Sequence, residues 1–218
     1  MARTMQDEKK QVKENCPLCK QDGKLFYRDE FFKCLNCKGI YKNRKDYLNT
    51  QAEIRRYKEH NNDVNDIRYQ NFVFPITNHV LTNFTPNHTG LDFGSGTAPV
   101  ISKILQDNGY DIQQFDPFFA NKPELLNRMY DYIVSCEVIE HFHNPDAEFK
   151  LLRKILKSNG AMICMTHLYD KDTDFKNWYY KNDPTHVFIY CRETMNFIAD
   201  YYGFTELIIN KRLIVFKL

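Results

Sequence analysis

The run GLDFGSGTAP at residues 90–99 constrains the fold of this 218-residue chain more than any other stretch. A short apolar run meets an acidic residue, two glycines separated by one residue follow, and an amphipathic segment begins at Val100. This order is typical of a strand, a tight turn and a helix at the nucleotide-binding corner of a doubly wound α/β sheet. A second apolar run ends at Asp116, where an acid faces ribose hydroxyls in this architecture.

The same run argues against a dinucleotide. Pro99 occupies the position of the third glycine in the dinucleotide pattern and has no N–H for a pyrophosphate. The carboxylate of Asp92 would also repel a phosphate. These features favour S-adenosylmethionine, which carries a ribose, an amine and a sulfonium but no phosphate. The run resembles motif I of the class I methyltransferases, with Ala98 where that family often has its third glycine.

The resemblance implies an α/β fold with a Rossmann-like sheet that is mostly parallel and has an antiparallel last strand. Residues 120–130 are too few for a full strand and helix, so the third strand is predicted to be reduced or missing. The other expected elements are strands at 90–93, 110–115, 132–136 and 161–166, helices at 73–84 (beginning near Pro75), 99–108, 145–157 and 192–202, and a hairpin at 204–217.

Ligands of such sheets bind beyond the carboxyl ends of the strands. The aromatic pair after Asp116 is predicted to pack either beside the adenine or in the core. The residues predicted to bind the cofactor are Asp92, Gly94, Ser95, Gly96, Thr97, Asp116, Pro117, Phe118, Cys136 and Glu137.

Glu137, Glu140 and His141 follow the fourth strand at spacings i, i+3 and i+4, so a helical turn would place them on one face. Two carboxylates and an imidazole suit a divalent cation such as magnesium, manganese, iron or zinc. His186 follows the next strand and could supply a fourth ligand. His141, His143 and His186 are also the candidate catalytic bases for an oxygen nucleophile.

The Glu-x-x-Glu-His turn resembles that of the quinone-biosynthesis O-methyltransferases, which are associated with magnesium. It also resembles the family that methylates the 3′-terminal 2′-hydroxyl of small RNAs. There the turn and a later histidine hold the metal that binds both ribose hydroxyls, which implies the ligands Glu137, Glu140, His141 and His186. In other methyltransferases the same turn has no demonstrated metal, so Glu137 contacting the cofactor and His141 bonding backbone is the open alternative.

Two CxxC pairs, Cys16 with Cys19 and Cys34 with Cys37, are separated by about fourteen residues. Four thiolates can complete a tetrahedron around zinc and leave no open position, which predicts a structural site. The pattern resembles a zinc ribbon, and the alternative is four free or disulfide-bonded cysteines. The whole chain resembles a bacterial group that pairs a zinc ribbon with a methyltransferase domain and shares the stretches DPFF, EHF and DPTH at residues 116–119, 140–142 and 183–186.

Composition sets further bounds. Seven cysteines, an odd number, and a polar N-terminus without a signal-peptide core predict a reducing cytoplasm. No apolar run reaches the roughly eighteen residues of a membrane span, and a net charge of +2 gives no global basic field. The charged run at residues 55–62 is predicted to be a solvated helix face, with a lid as the alternative. The predicted organisation is a loose leader at 1–12, a zinc ribbon at 13–45, a helical linker or lid at 46–85 and a methyltransferase domain at 86–218.

The predicted function is S-adenosylmethionine-dependent O-methylation of a small or carrier-borne metabolite by in-line methyl transfer. One alternative is an RNA methyltransferase that uses the ribbon as a reader, because the ribbon hairpin is basic and aromatic. The Cys-Pro-Leu-Cys opening resembles the bacterial guanine-N1 ribosomal RNA methyltransferases, whereas the lack of an Asn-Pro-Pro-aromatic tetrad weakens base methylation. The other alternative is a non-catalytic adaptor that binds S-adenosylmethionine and zinc. The acceptor and the oligomeric state do not follow from the sequence.

Overall fold

The computed structural model describes residues 14–59 and 62–218, which form two six-stranded sheets with flanking helices. The predicted leader at residues 1–12 lies outside the described residues. In chain order the strands are β1 (Glu14–Asn15), β2 (Asp22–Tyr27), β3 (Phe31–Cys34), β4 (Ile40–Lys42), β5 (Thr89–Phe93), β6 (Asp111–Phe115), β7 (Tyr130–Cys136), β8 (Leu156–Met165), β9 (Leu168–Tyr169), β10 (Phe188–Cys191), β11 (Glu206–Asn210) and β12 (Leu213–Lys217).

Side-chain caps start the two helices that precede the larger sheet. Asn49 Oδ1 accepts a hydrogen bond from Ala52 N at 3.0 Å, and Asp66 Oδ1 accepts one from Arg68 N at 2.8 Å. In the described parts of the chain, none of the helices combines the length and the apolar character that crossing a membrane requires. The α-helices are α1 (Thr50–Lys58), α2 (Ile67–Asn83), α3 (Val100–Asp107), α4 (Pro145–Lys154) and α5 (Arg192–Tyr202), and 3-10 turns lie at Arg44–Asp46, Pro123–Asn127, Ile139–His141 and Tyr179–Asn182.

The larger sheet has the strand order β11-β12-β8-β7-β5-β6. Strands β6, β5, β7 and β8 are parallel, whereas β12 and β11 are antiparallel. Strand β7 is buried along nearly its whole length, as expected for a parallel strand covered on both faces. Residues 117–129 are all described and contain a 3-10 turn but no strand. The predicted Rossmann-like sheet, with an antiparallel end and without its third strand, is therefore confirmed.

Helices cover both faces of this sheet and bury its core. Helices α2 and α3 bury Ile76 and Leu105 on one face, packed with Tyr132 of β7. Helices α4 and α5 bury Phe149 and Ile198 on the other face. The three layers cover the strands but leave the loops at the carboxyl ends of β5, β6 and β7 to form a site.

Helix α2 begins at Ile67, so the predicted start near Pro75 was wrong. Pro75 lies inside the helix, where it removes one backbone hydrogen bond and typically costs about 3 kcal/mol. Val73, Ile76 and Val80 are fully buried around it, and their burial offsets that cost. Tertiary packing therefore overrides the local signal of the proline.

The other predicted elements of the catalytic part lie close to their expected bounds. The exception is the junction of α4 and β8, because α4 ends at Lys154 and β8 already begins at Leu156. Leu156 pairs with Tyr130 at the start of β7, so the chain enters the sheet earlier than the apolar pattern indicated.

The smaller sheet has the order β1-β2-β3-β4-β10-β9 and joins the ribbon to the catalytic part. Strand β4 pairs antiparallel with β10, and β10 pairs parallel with β9. Phe31 and Ile40 of the ribbon share a buried cluster with Phe175 and Ile189. A ribbon of this size cannot bury a sufficient core alone, and it completes its core against the larger part. The predicted domain boundaries remain predictions.

Candidate active site

The glycine turn after β5 has the backbone shape that the sequence predicts. Gly94 and Gly96 have φ angles of +81° and +65°, in the left-handed region that favours glycine. A Cβ on Gly94 would lie 2.5 Å from the Val138 side chain, so no larger residue fits there. Gly94 N donates to Phe115 O at 2.8 Å, which ties the turn to the end of β6.

Asp116 lies beside the glycine turn and organises the backbone around it. Its Oδ2 accepts from Gly96 N at 3.0 Å. Its Oδ1 accepts from Phe118 N at 2.8 Å and from Phe119 N at 3.0 Å. A carboxylate has about four acceptor positions, so one remains for a ligand hydroxyl.

Asp92 lies behind the turn and does not line the cavity described below. It is 3% exposed, and its Oδ2 accepts a hydrogen bond from Ser102 Oγ of α3 at 2.8 Å. Burial raises the pKa of Asp92 to about 6, against the opposing hydrogen bonds from Ser102. The structure therefore shows Asp92 joining β5 to α3, while its predicted contact with the cofactor remains a prediction.

A cavity of about 1170 Å³ opens at the carboxyl ends of β5, β6 and β7. It also takes in side chains that the sequence did not predict, among them Glu53, Arg56 and Tyr57 of α1 and Arg212 of the closing hairpin. Its volume exceeds the roughly 300–1,000 Å³ of ordinary ligand pockets, so it has room for a cofactor and an acceptor together. The predicted cofactor residues that line it are Gly94, Ser95, Gly96, Thr97, Asp116, Pro117, Phe118, Cys136 and Glu137.

Glu137 departs from the geometry that the sequence predicts. Its φ angle is +51°, so the chain turns away immediately after β7 and the following 3-10 turn begins only at Ile139. Its carboxylate pairs with Arg212 at 2.6 Å, and the Arg212 guanidinium lies 4.6 Å from the centre of the Phe72 ring. Burial, with the nearby charge of Glu140, raises the pKa of Glu137 to about 7 against the effect of Arg212. The predicted common face of Glu137, Glu140 and His141 is therefore not formed.

Glu140, His141 and His186 do come together. Their ligand atoms lie within 4.8 Å of one another. Glu140 is fully buried behind the cavity wall, whereas both histidines line the cavity. The Glu140 carboxylate accepts hydrogen bonds from the Tyr180 hydroxyl and from Thr166 Oγ1, the latter at 3.2 Å. Burial raises the pKa of Glu140 to about 7 although these hydrogen bonds oppose it.

The two imidazoles of this cluster are oriented by backbone carbonyls. His141 Nδ1 lies 3.0 Å from Thr185 O, and His186 Nδ1 lies 2.7 Å from Tyr180 O. A proton on each Nδ1 makes these hydrogen bonds and leaves each Nε2 with a lone pair. Burial lowers the pKa of His141, and burial together with the neighbouring His141 lowers the pKa of His186 to about 3. Both rings are therefore neutral near pH 7 and can act as metal ligands.

His143 lies apart from this cluster and has a different partner. Its Nε2 lies 2.7 Å from Glu53 Oε1, and its ring packs 4.7 Å from the Tyr47 ring. Glu53 is 6% exposed, so helix α1 brings a buried carboxylate to a histidine of the cavity. Of the three histidines predicted as bases, His141 and His186 therefore lie in the cluster with Glu140, whereas His143 pairs with Glu53.

Helix α1 covers the cavity. Arg56 Nε and Nη2 lie 3.2 Å and 2.7 Å from Asp183 Oδ2. Although burial acts to raise it, hydrogen bonds from Thr185 and Arg56 hold the pKa of Asp183 below its ordinary value. Tyr57 stacks on Phe118 at 6.0 Å between ring centres. Part of the charged run at residues 55–62 therefore faces the cavity, which the prediction of a solvated face missed.

The four cysteines of the two CxxC pairs also form a cluster. Their sulfur atoms lie within 4.8 Å of one another, with Cys16 and Cys37 at 3.5 Å and Cys19 and Cys34 at 3.3 Å. None of the seven cysteines, all of which lie among the described residues, forms a disulfide, so the disulfide alternative is not realised. The cluster fits an N-terminal zinc ribbon.

The two halves of the cysteine cluster have the same local structure. Lys20 and Lys38 each follow the second cysteine of a pair and have φ angles of 61° and 65°. The Lys20 ammonium donates to Pro17 O at 2.7 Å, and the Lys38 ammonium donates to Leu35 O. Two equivalent turns thus present their thiols to one point, as a tetrahedral ion requires.

The aromatic side chains of the ribbon hairpin pack inward. Phe26, Tyr27 and Phe31 all contact the Phe175 ring, with centres 4.9 Å, 5.4 Å and 5.4 Å away. Lys33 Nζ lies 5.5 Å from the centre of the Phe26 ring. These rings join the ribbon to the loop after β9, with Phe31 buried and Phe26 and Tyr27 half-buried against Phe175.

A family profile described as a methyltransferase domain matches residues 66–207, more than half of the chain. No curated protein sequence matches the chain. An S-adenosylmethionine-dependent methyltransferase from Archaeoglobus fulgidus shares 16% identity over 68% of this chain and 94% of its own, with a TM-score of 0.54. This similarity shows the fold alone.

Two further solved structures are similar at lower scores. A possible histamine N-methyltransferase from Thermotoga maritima shares 13% identity over 71% of this chain and 95% of its own, with a TM-score of 0.42. An O-methyltransferase family protein from Burkholderia thailandensis shares 10% identity over 70% of this chain and 60% of its own, with a TM-score of 0.48.

Proposed function

The chain belongs to the methyltransferase-domain family and is a class I S-adenosylmethionine-dependent methyltransferase; from that premise we propose that it methylates an oxygen of a small or carrier-borne metabolite. The observation that carries the proposal is the cluster of Glu140, His141 and His186, whose two histidines line the same cavity as the glycine turn. A cluster of this kind can activate a hydroxyl group, which is the requirement that distinguishes O-methylation.

The cofactor is proposed to bind at the glycine-turn end of the cavity. The left-handed turn at Gly94 and Gly96 lets a ligand approach the backbone closely. The remaining acceptor position of Asp116 can take a ribose hydroxyl. Phe118 lines the cavity beside this turn and can pack against the adenine.

The donor set of the Glu140 cluster fits a divalent cation. It offers one carboxylate and two neutral imidazoles whose Nδ1 atoms are already bonded to carbonyls. Because Glu137 is withdrawn from this set, it contains more nitrogen than magnesium prefers and suits manganese, iron or zinc. When bound, such a cation lowers the pKa of a coordinated hydroxyl. Glu140, His141 and His186 would hold it, with Tyr180 and Thr166 orienting the carboxylate.

The other requirement is a proton acceptor. In the transfer, the acceptor oxygen bonds to the methyl carbon while the carbon–sulfur bond breaks and its electron pair stays on sulfur. His143 is proposed to accept the proton released by the oxygen. Glu53 holds Nε2–H at 2.7 Å, which leaves Nδ1 of His143 to act as the base. His141 and His186 then orient the acceptor and do not take its proton.

The packing of the ribbon supports a small acceptor over RNA. An RNA reader would need rings with free faces for stacking, whereas Phe31 is buried and Phe26 and Tyr27 are half-buried in edge contacts with Phe175. The cysteine cluster is proposed to bind a structural zinc, because four thiolates close the coordination shell. The cavity, the cluster of Glu140, His141 and His186 and the His143–Glu53 pair argue against a non-catalytic adaptor.

The test is methyl transfer from labelled S-adenosylmethionine to fractions of a cell extract. We expect label in a small-molecule or carrier-borne fraction, lost in the Glu140→Ala/His141→Ala variant. His167→Ala is the matched control. This histidine also lines the cavity, but it is hydrogen-bonded to Tyr179 and lies outside the cluster of Glu140, His141 and His186. A fully active double variant would refute the metal site, label in RNA would refute the metabolite, and cofactor binding without any transfer would favour the adaptor.

A further inference from the structure

The last strand of the ribbon reaches the segment that carries one of the cavity histidines. Strand β4 pairs with β10, with Tyr41 opposite Phe188 and Ile40 opposite Ile189. The two strands approach so closely that a Cβ on Gly39 would lie 2.3 Å from Phe188 Cζ. The ribbon is therefore tightly packed against the chain that follows His186.

Lys42 ends strand β4 and is buried, with 8% exposure. Its backbone N donates to Val187 O at 2.9 Å. Its ammonium donates to Pro184 O at 2.9 Å and to Asp183 O at 3.5 Å. Buried lysines are rare unless their charge has a specific partner, and here the hydrogen-bond acceptors are backbone carbonyls of one short segment, with the Phe31 ring centre 5.8 Å from the ammonium. Lys42 does not line the cavity, so a direct role in the chemistry is excluded.

The segment at residues 183–187 determines the position of both histidines in the cluster. His186 belongs to it, and its amide N donates to Asp183 O at 3.2 Å. Thr185 O is the acceptor that orients His141 Nδ1. Val187 N donates to Glu140 O at 3.0 Å, so the third member of the cluster is tied to the same segment.

We propose that the ribbon is a positioning element for the cation cluster, and that Lys42 is the residue through which strand β4 fixes the segment at residues 183–187. The inference rests on the proposed function in taking Glu140, His141 and His186 as a cation site. It assigns the ribbon a role in building the site and not in reading the substrate. Since Lys42 acts through Pro184 and Val187, it is a positioning residue.

The experiment is Lys42→Met in the full chain, measured by Mn(II) titration with electron paramagnetic resonance. Methionine keeps most of the side-chain volume but leaves Pro184 O without its lysine donor, while Asp183 O keeps only the donor from His186 N. Loss of a partner bonded directly to a metal ligand typically costs 10–100-fold in metal affinity; Lys42 lies one contact further out, so we expect a loss of about tenfold, at the lower end of that range. Mn(II) prefers oxygen and nitrogen over thiolate, so the titration does not report on the cysteine cluster.

Two further measurements separate positioning from general unfolding. Affinity for S-adenosylhomocysteine should be unchanged, because the glycine turn lies on other strands. Amide exchange in residues 183–191 should rise at least about tenfold, because the segment opens locally more often. Lys45→Met is the matched control, since Lys45 lies in the same part of the chain, is half exposed and forms its ion pair with Asp29 at the surface; it should change none of these values.

Unchanged Mn(II) affinity and unchanged exchange in Lys42→Met would overturn the proposal. If the unsubstituted protein binds no Mn(II) but exchange at 183–191 rises in Lys42→Met alone, the positioning role stands and the cation part of the proposed function fails. If Lys42→Met also loses S-adenosylhomocysteine, Lys42→Gln decides, because its side chain is polar enough for the buried position but is neutral and shorter than lysine, which weakens the bonds to Pro184 O and Asp183 O. Weaker Mn(II) binding with intact cofactor binding in that variant supports the proposal, and unweakened Mn(II) binding refutes it.

Discussion

Residues 14–59 and 62–218 contain two clusters of side chains that could hold a metal ion, and the two differ in how completely they would surround it. The cysteine cluster brings four thiols to one point, and Cys16, Cys34 and Cys37 are buried there. The cluster of Glu140, His141 and His186 offers three ligands, with both histidines on a cavity wall. Four thiolates complete a tetrahedral shell, whereas three ligands leave positions for a substrate. The first arrangement suits a structural ion and the second suits a catalytic one.

The clusters also differ in how the chain builds them. Each CxxC turn is local, and its two thiols are fixed by a few residues. The second cluster combines a turn after β7 with a segment some 45 positions later, and that segment is held by the ribbon. We therefore expect the open cluster of Glu140, His141 and His186 to depend on the closed cysteine cluster.

The largest effect is expected from Cys34→Ser/Cys37→Ser. Removing two thiolates should abolish zinc binding, since structural zinc supplies about 10–16 kcal/mol of folding free energy in small zinc domains. Without the ion, strand β4 should detach from β10, so Mn(II) binding at the second cluster should also be lost. Zinc content, Mn(II) titration and amide exchange of residues 31–42 measure this. Loss of zinc with normal Mn(II) affinity would show that the two clusters are independent.

His186→Ala should lower metal affinity only at the cluster of Glu140, His141 and His186. Removing a direct ligand should cost more than the roughly 10–100-fold that outer-shell changes cost in metal affinity. Zinc content and S-adenosylhomocysteine affinity should match the unsubstituted protein. Metal analysis and calorimetry on one preparation provide the test. Loss of zinc in this variant would contradict the proposed direction of dependence.

Asp92→Asn addresses a buried carboxylate away from both clusters. The folded-state pKa of Asp92, about 6, lies above the ordinary value of 3.8, so ionisation opposes folding. The free energy of unfolding of the native protein should fall as pH rises from about 4 to 6, and the variant should lack the part of this fall that Asp92 contributes. Above pH 6 the variant should be more stable by about 1–3 kcal/mol, and below pH 3.8 the difference should vanish. Urea unfolding of both proteins at pH 3.5 and 7.5 gives the difference in free energy of unfolding between them. An equal difference at the two pH values would refute the prediction.

Glu137→Gln should have the smallest effect on the open cluster. Glu137 pairs with Arg212 and has no place among the three ligands. Mn(II) affinity should therefore change less than about threefold, which is under 1 kcal/mol. Mn(II) titration of this variant beside Glu140→Gln gives the measurement. A loss as large as that of Glu140→Gln would restore Glu137 as a ligand.

The sequence predicted those features of the fold and the site that are determined by residues close together in the chain. The glycine turn, the two CxxC pairs and the missing third strand follow from spacing and loop length, and helix α5 spans the predicted residues 192–202. The predicted common face of Glu137, Glu140 and His141 does not form, because a residue in the left-handed region does not continue a helical face. Spacing rules assume regular backbone, and this turn is irregular.

Other parts of the site depend on partners distant in the sequence. Glu53 and Arg56 look like an ordinary solvated pair on a polar helix, and their roles depend on His143 and Asp183. Nothing in the residues around Lys42 indicates that its charge is buried against a segment after β9. Such contacts arise from tertiary packing, which a local pattern does not encode.

The junction of the ribbon and the catalytic part also bears on the order of folding. Lys42 and Pro184 lie 142 positions apart, so their contact closes almost two-thirds of the chain into a loop. Contacts this distant carry a large loop-closure entropy and form slowly, after the local turns. We expect the cysteine turns to be able to capture zinc early, whereas the histidines reach their working arrangement only when the N-terminal strand joins the C-terminal half.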